Sequence, residues 1–188
     1  MKGVLKFVGV LLLLILAYIL IGGLFMEKKY ELEKSIAIKA SKEVVWQNIS
    51  QFSNFAKWSP WSELDPNMTT QISGNDGNVG AKYSWEGNKD VGKGSMTYKS
   101  LHPQDDVQIG LQFLEPMESN ADVIIKINDA SDGTQTVTWA FETEFPYPFN
   151  ALVPFMGMDK SLGADFERGL KYLKQLSESG TPAAPNIP

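Results

Sequence analysis

Asp159-Lys-Ser-Leu162-Gly-Ala-Asp-Phe166-Glu-Arg-Gly169-Leu170-Lys-Tyr-Leu173-Lys-Gln-Leu176 is the stretch on which the fold turns. Its apolar residues recur at three and four positions, one stripe of an amphipathic helix. Asp165 with Arg168 and Glu167 with Lys171 place opposite charges at (i, i+3) and (i, i+4) on the wet face. A helix with one apolar stripe needs a surface to cover, and the residues before it supply a sheet. Val107, Ile109, Leu111 and Phe113 alternate with Gln108, Gly110 and Gln112, the pattern of a strand with one buried face.

Working outward, Tyr30 to Lys39, Met68 to Ile72, Ala81 to Glu86, Gly94 to Leu101, Ala121 to Ile127 and Gln135 to Glu144 also read as strands, separated by turns such as Gly74-Asn-Asp-Gly-Asn78 and Asp129-Ala-Ser-Asp-Gly133. Between the first two, Ser41 is placed to cap a helix with Glu43 in its first turn, and a second helical turn covers Phe52 to Lys57. Pro60 then breaks the helix, which predicts Trp58 and Trp61 in a loop or strand entry. About seven antiparallel strands and a long C-terminal helix predict an α+β domain in which a curved sheet wraps the helix. It spans residues 30–177; Pro-rich residues 178–188 form a tail too poor in apolar residues to fold.

Residues 1–29 are unlike the rest. Phe7 to Met26 carries no charge and is long enough to cross ~30 Å of hydrocarbon at ~1.5 Å per residue. A cleaved signal peptide would have a shorter apolar region of ~7–15 residues and a small-x-small site, which Gly22-Gly23-Leu24-Phe25-Met26 does not supply. The run therefore reads as a single-pass anchor through residues 7–26. Lys28, Lys29 and Lys34 balance Lys2 and Lys6, so the lysine count does not set the orientation. A short basic N-terminus before a long apolar run is the usual start of an N-in anchor, which places the domain on the extracytoplasmic side.

Composition excludes several chemistries. The 188 residues include no cysteine and one histidine, His102 before Pro103, which reads as a surface turn residue. Disulfides, thiol catalysis and a zinc site built on imidazoles are ruled out. Residues 1–29 hold four lysines against Glu27, a net of +3, so the remainder carries −8 of the chain's −5. That field argues against nucleic acid as a partner. The glycine-rich stretches Gly74 to Gly80 and Gly87 to Gly94 lack the strand, loop and helix context of a phosphate cradle, and no cofactor is expected.

Ile38-Lys-Ala-Ser-Lys-Glu-Val-Val-Trp46, Trp58-Ser-Pro-Trp61, Val79-Gly-Ala-Lys-Tyr-Ser-Trp-Glu-Gly-Asn88, Val91-Gly-Lys-Gly-Ser-Met96, Val137-Thr-Trp139 and Met158-Asp-Lys-Ser-Leu-Gly-Ala-Asp-Phe-Glu-Arg-Gly-Leu170 together resemble the SRPBCC, or START-like helix-grip, superfamily, in its bacterial polyketide cyclase/dehydrase-like branch. The resemblance covers residues 30 to 177 and implies a cavity between sheet and C-terminal helix. The superfamily includes lipid carriers, receptors and cyclising enzymes, so it does not choose among them.

For such a cavity the inward positions are Tyr83, Trp85, Met96, Tyr98, Leu111, Phe113, Trp139, Phe141, Phe155, Met156, Leu162 and Phe166. Aromatic and methionine side chains suit a lipid, quinone or polyketide-like ligand, and they equally suit a filled core. Glu86 and Asp159 are the carboxylates that would serve a cyclase or dehydratase as acid and base. Alternation places Glu86 opposite Trp85, and Asp159 falls where a helix start favours an acid. Phe145-Pro-Tyr-Pro-Phe149 and Ala151 to Met156 form an apolar, proline-rich segment suited either to packing under the helix or to contact with lipid headgroups. The expected function is membrane-anchored binding of a hydrophobic small molecule. The alternatives are a carboxylate-dependent cyclase and an envelope protein-interaction module.

Overall fold

The computed structural model describes residues 1–130 and 133–179. Helix α1 (Lys2–Phe25) leads into strand β1 (Lys29–Ile38), helices α2 (Lys42–Ile49) and α3 (Phe52–Trp58), and a 3₁₀ turn at Pro60–Glu63. Strands β2 (Thr69–Ser73), β3 (Lys82–Glu86), β4 (Lys93–His102), β5 (Asp106–Glu115), β6 (Ser119–Asp129) and β7 (Gln135–Glu144) follow. A 3₁₀ segment, Phe149–Phe155, then precedes helix α4 (Met158–Ser179). The strands form one seven-stranded antiparallel sheet in the order β1-β7-β6-β5-β4-β3-β2. This is the helix-grip arrangement expected from the sequence. The tip of the β6–β7 hairpin and the tail beyond Ser179 lie outside the described residues; α4 runs two residues past the expected boundary at 177.

Strand alternation sets the concave face. On β6, Ala121, Val123, Ile125 and Ile127 are buried while their neighbours are exposed, and Val137, Trp139 and Phe141 are buried on β7. Helix α4 covers this face with Phe166, Leu170, Leu173 and Leu176. Each such side chain contributes about 1.5–3 kcal/mol when fully buried. Gly169 permits the close approach: a Cβ there would meet Cζ3 of Trp139 at 2.8 Å and Cδ of Pro60 at 3.1 Å.

Helices α2 and α3 close one end of the grip. The backbone N–H of Val44 donates to Ser41 Oγ at 3.4 Å, the cap expected from the sequence. Asn48 Nδ2 donates to Ser177 Oγ of α4 at 3.0 Å, and Trp58 Nε1 donates to the Asn48 carbonyl at 3.0 Å. Pro60 opens a 3₁₀ turn, where a plain loop or strand entry was expected, because its fixed φ suits the first position of a helical turn.

The register defines the opposite end. Lys29 pairs with Glu144, Ala121 with Thr143, Phe113 with Ser119, Gly94 with Phe113, Glu86 with Lys93 and Thr69 with Glu86. These residues mark one edge across the sheet, and α1 joins the domain there.

Candidate ligand-binding cavity

Between the sheet and α4 lies a cavity of about 90 Å³. Its buried wall is made by Phe55 and Ser59 from the α3 region, Tyr83 of β3, Met96 of β4, Ile109 of β5, Val123 and Ile125 of β6, Trp139 and Phe141 of β7, and Phe166 of α4. Trp61, Met68, Trp85, Val91, Leu111, Phe113 and Leu162 complete the lining and are only half-buried, so they form the mouth. Of these, Met68, Trp85, Val91 and Phe113 sit at the sheet edge where α1 enters, each within two residues of a pairing at that edge.

The wall is held rigid by its rings. Trp139 stacks on Phe166 with centroids 4.1 Å apart, and Trp58 and Trp61 approach Trp139 edge-on at 5.2 and 5.9 Å. Trp85 meets Phe113 edge-on at 6.0 Å at the mouth. Among the described residues no ionisable acid or base lines the cavity apart from the Tyr83 phenol, which burial pushes up and keeps neutral at ordinary pH.

The two candidate carboxylates are elsewhere. Glu86 is exposed and paired with Lys93 at 2.8 Å. Asp159, in the first turn of α4, accepts the Tyr30 hydroxyl at 2.9 Å. Burial, and after it this hydrogen bond, push the Tyr30 phenol up to about 12. Neither carboxylate lines the cavity, so the geometry gives no acid–base pair for an enclosed substrate.

A family model described as "Polyketide cyclase / dehydrase and lipid transport" matches residues 29–178. The chain belongs to this family. No curated protein matches this polyketide cyclase/dehydrase and lipid transport family member. Similar solved structures include a protein from Nitrosospira multiformis, at 19% identity and TM-score 0.59, covering 80% of this chain and 98% of that one. The Aha1 dimer from Colwellia psychrerythraea is similar at 20% identity and TM-score 0.56, with 81% and 98% covered. The di-domain ARO/CYC StfQ from the steffimycin biosynthetic pathway is similar at 13% identity and TM-score 0.60, with 81% and 52% covered. At these identities the likeness shows the fold alone.

In this family member the structure places Tyr83, Trp85, Met96, Leu111, Phe113, Trp139, Phe141, Leu162 and Phe166 on the cavity wall. Three expected residues lie elsewhere. Tyr98 shares a face with Met96, but α2 and α3 cover that part of the sheet: its ring stacks on Phe52 at 4.0 Å and its hydroxyl donates to the Ile49 carbonyl at 3.3 Å. Phe155 and Met156 are exposed, because the 3₁₀ segment carries them out toward α1 and away from the helix–sheet interface. Ile109, Val123 and Ile125 also line the wall and were not among the expected positions, although alternation on β5 and β6 marks them as inward. Phe55 lies on α3, where Phe52, Phe55 and Trp58 recur at three and mark the buried side, while Trp61, Met68 and Val91 come from a short 3₁₀ turn and connections, where no period tells inside from outside.

Proposed function

We propose that this chain is a membrane-anchored binding protein that holds a hydrophobic small molecule in the cavity between the sheet and α4. The observation that carries the reading is the lining, uncharged throughout and dominated by aromatic, aliphatic and methionine side chains. A water-soluble ligand would find no partner for a charge there. The volume narrows the ligand class. A cavity near 90 Å³ is smaller than a dry site of about 150 Å³ that holds benzene. Neither a lipid tail nor a fused polyketide ring system fits this space at rest; a slender acyl or isoprenoid chain needs the smaller widening, which rotamer changes of Met68 and Met96 can supply. The ligand class is therefore a lipid or a quinone tail.

Helix α1 is long and apolar enough to cross a membrane, and its most apolar window is not buried against the domain. We read it as the anchor, with the short basic N-terminus inside and the domain on the extracytoplasmic side. The cyclase reading has the family description in its favour, but its two candidate carboxylates stand outside the cavity.

The test is native mass spectrometry of the full-length protein released from detergent after incubation with a panel of phospholipids and quinones. One ligand per chain should be retained by the wild type. Leu162→Trp, at the mouth, should cut retention at least tenfold with an unchanged near-ultraviolet circular dichroism spectrum. Absence of both co-purified and added ligand from the wild type would remove the proposal.

A further inference from the structure

The 3₁₀ segment and the residues before it pack against the last two turns of α1. Asn150, fully buried, donates from Nδ2 to the Gly23 and Met26 carbonyls, both at 2.8 Å, and so satisfies groups that a helix C-terminus leaves open. Gly23 makes room for this contact: a Cβ there would meet Asn150 Oδ1 at 3.0 Å and Tyr147 Cδ2 at 3.1 Å. The Tyr147 hydroxyl donates to the Leu20 carbonyl at 3.2 Å. Phe155 meets the Tyr18 ring edge-on with centroids 5.8 Å apart.

These contacts run from Met26 back to Tyr18, which is about 12 Å along the helix axis. If the uncharged run after Lys6 fills a hydrocarbon layer of ~30 Å, Tyr18 lies well inside it, and whatever touches Tyr18 lies there too. The segment has the chemistry for that depth. From Phe145 to Met158 there is no charged residue, and Phe149 and Phe155 are 58% and 73% exposed, with Leu152 and Met156 beside them. Its backbone is also economical in free donors. Pro146, Pro148 and Pro154 have no N–H, and the amides of Phe149, Ala151 and Met156 donate to the carbonyls of Pro146, Pro148 and Val153.

We propose that residues 147–156 are a second membrane-inserted element, a wedge in the leaflet that holds the C-terminal turns of α1, with the exposed apolar side chains facing lipid. The inference rests on the reading of α1 as an anchor. Its consequence is orientation. The wedge and α1 seat the domain with the sheet edge that bears Met68, Trp85, Val91 and Phe113 toward the bilayer, so that the cavity takes its ligand from lipid and not from water.

The chain has no cysteine, so single cysteines report depth without interference. Full-length protein carrying Phe155→Cys or Met156→Cys, labelled with an NBD fluorophore, is reconstituted in phosphatidylcholine vesicles. Leu14→Cys, exposed on the apolar surface of α1, is the bilayer reference and Ile124→Cys, exposed on the sheet, the aqueous one. The Phe155 and Met156 labels should be at least fivefold less quenched by iodide than the Ile124 label, and they should be quenched by doxyl-labelled lipid. Iodide quenching equal to that at Ile124, with Leu14 protected, overturns the wedge. A Leu14 label open to iodide overturns the anchor and the wedge together. Ligand retention in detergent is measured separately, so either result is distinguishable from failure of the cavity to bind.

Discussion

Trp139 of β7 and Phe166 of α4 stack face to face, with ring planes 14° apart and centroids separated by 4.1 Å. This pair joins the sheet to its helix and at the same time forms part of the cavity wall, so stability and ligand space depend on the same side chains. The approach is close because Gly169, on the same face of α4, presents no Cβ to the Trp139 ring.

Phe166→Ala should therefore destabilise the protein by about 3–5 kcal/mol, the range for removing a fully buried aromatic. Denaturant unfolding of the full chain in detergent, followed by tryptophan fluorescence, measures it. A loss below about 1 kcal/mol would mean that the stack does not hold the helix to the sheet.

Glu86→Gln and Asp159→Asn should leave ligand retention within about twofold of wild type, since neither side chain lines the cavity. Asp159→Asn should still cost about 0.5–1 kcal/mol of stability, because the amide oxygen still accepts the Tyr30 hydroxyl but the charge-assisted part of the bond is lost. Loss of retention in both variants with stability unchanged would restore the carboxylates to a functional role.

Acid stability should depend on Asp76. Its carboxylate accepts the backbone N–H groups of Phe52 at 2.8 Å, Ser53 at 3.0 Å and Gly77 at 3.0 Å, capping α3 from a distant turn. Burial opposes its ionisation, but the hydrogen bonds from Ser53 and Phe52 prevail and hold the carboxyl below its ordinary value of 3.8. A depressed folded-state pKa contributes stability that is present above the unfolded value and lost as pH falls through the folded one. Asp76→Ala should cost about 1 kcal/mol at pH 7, as for other lost helix caps. The difference from wild type should shrink below about pH 4, as urea titrations at stepped pH would show. A difference constant down to pH 2.5 would contradict the assignment.

Much of the fold was legible because it is written in periods. Alternation on β5, β6 and β7 and the three-four spacing of Leu162, Phe166, Leu170 and Leu173 each point one face inward, and the described boundaries fall within two residues of those expected for most elements. Ser41 declared its cap locally. The cap on α3 did not, because Asp76 lies 24 residues from Phe52 and only the folded turn brings it there. Tyr98 failed as a cavity residue for a related reason. Its face was correctly inward, but which part of that face is covered by α2 and α3 is a matter of packing.

By itself the sequence determined the α+β class, the helix that the sheet grips, the apolar span at the N-terminus and the lack of any thiol. These follow from composition and from periodicities fixed by backbone geometry. The tertiary structure alone decided where the cavity ends, which partners Glu86 and Asp159 take outside it, and that Asn150 caps α1 across 127 residues of chain. Those are contacts between segments distant in sequence, and their distances are set by how a finite set of side chains fills the space between a curved sheet and one helix.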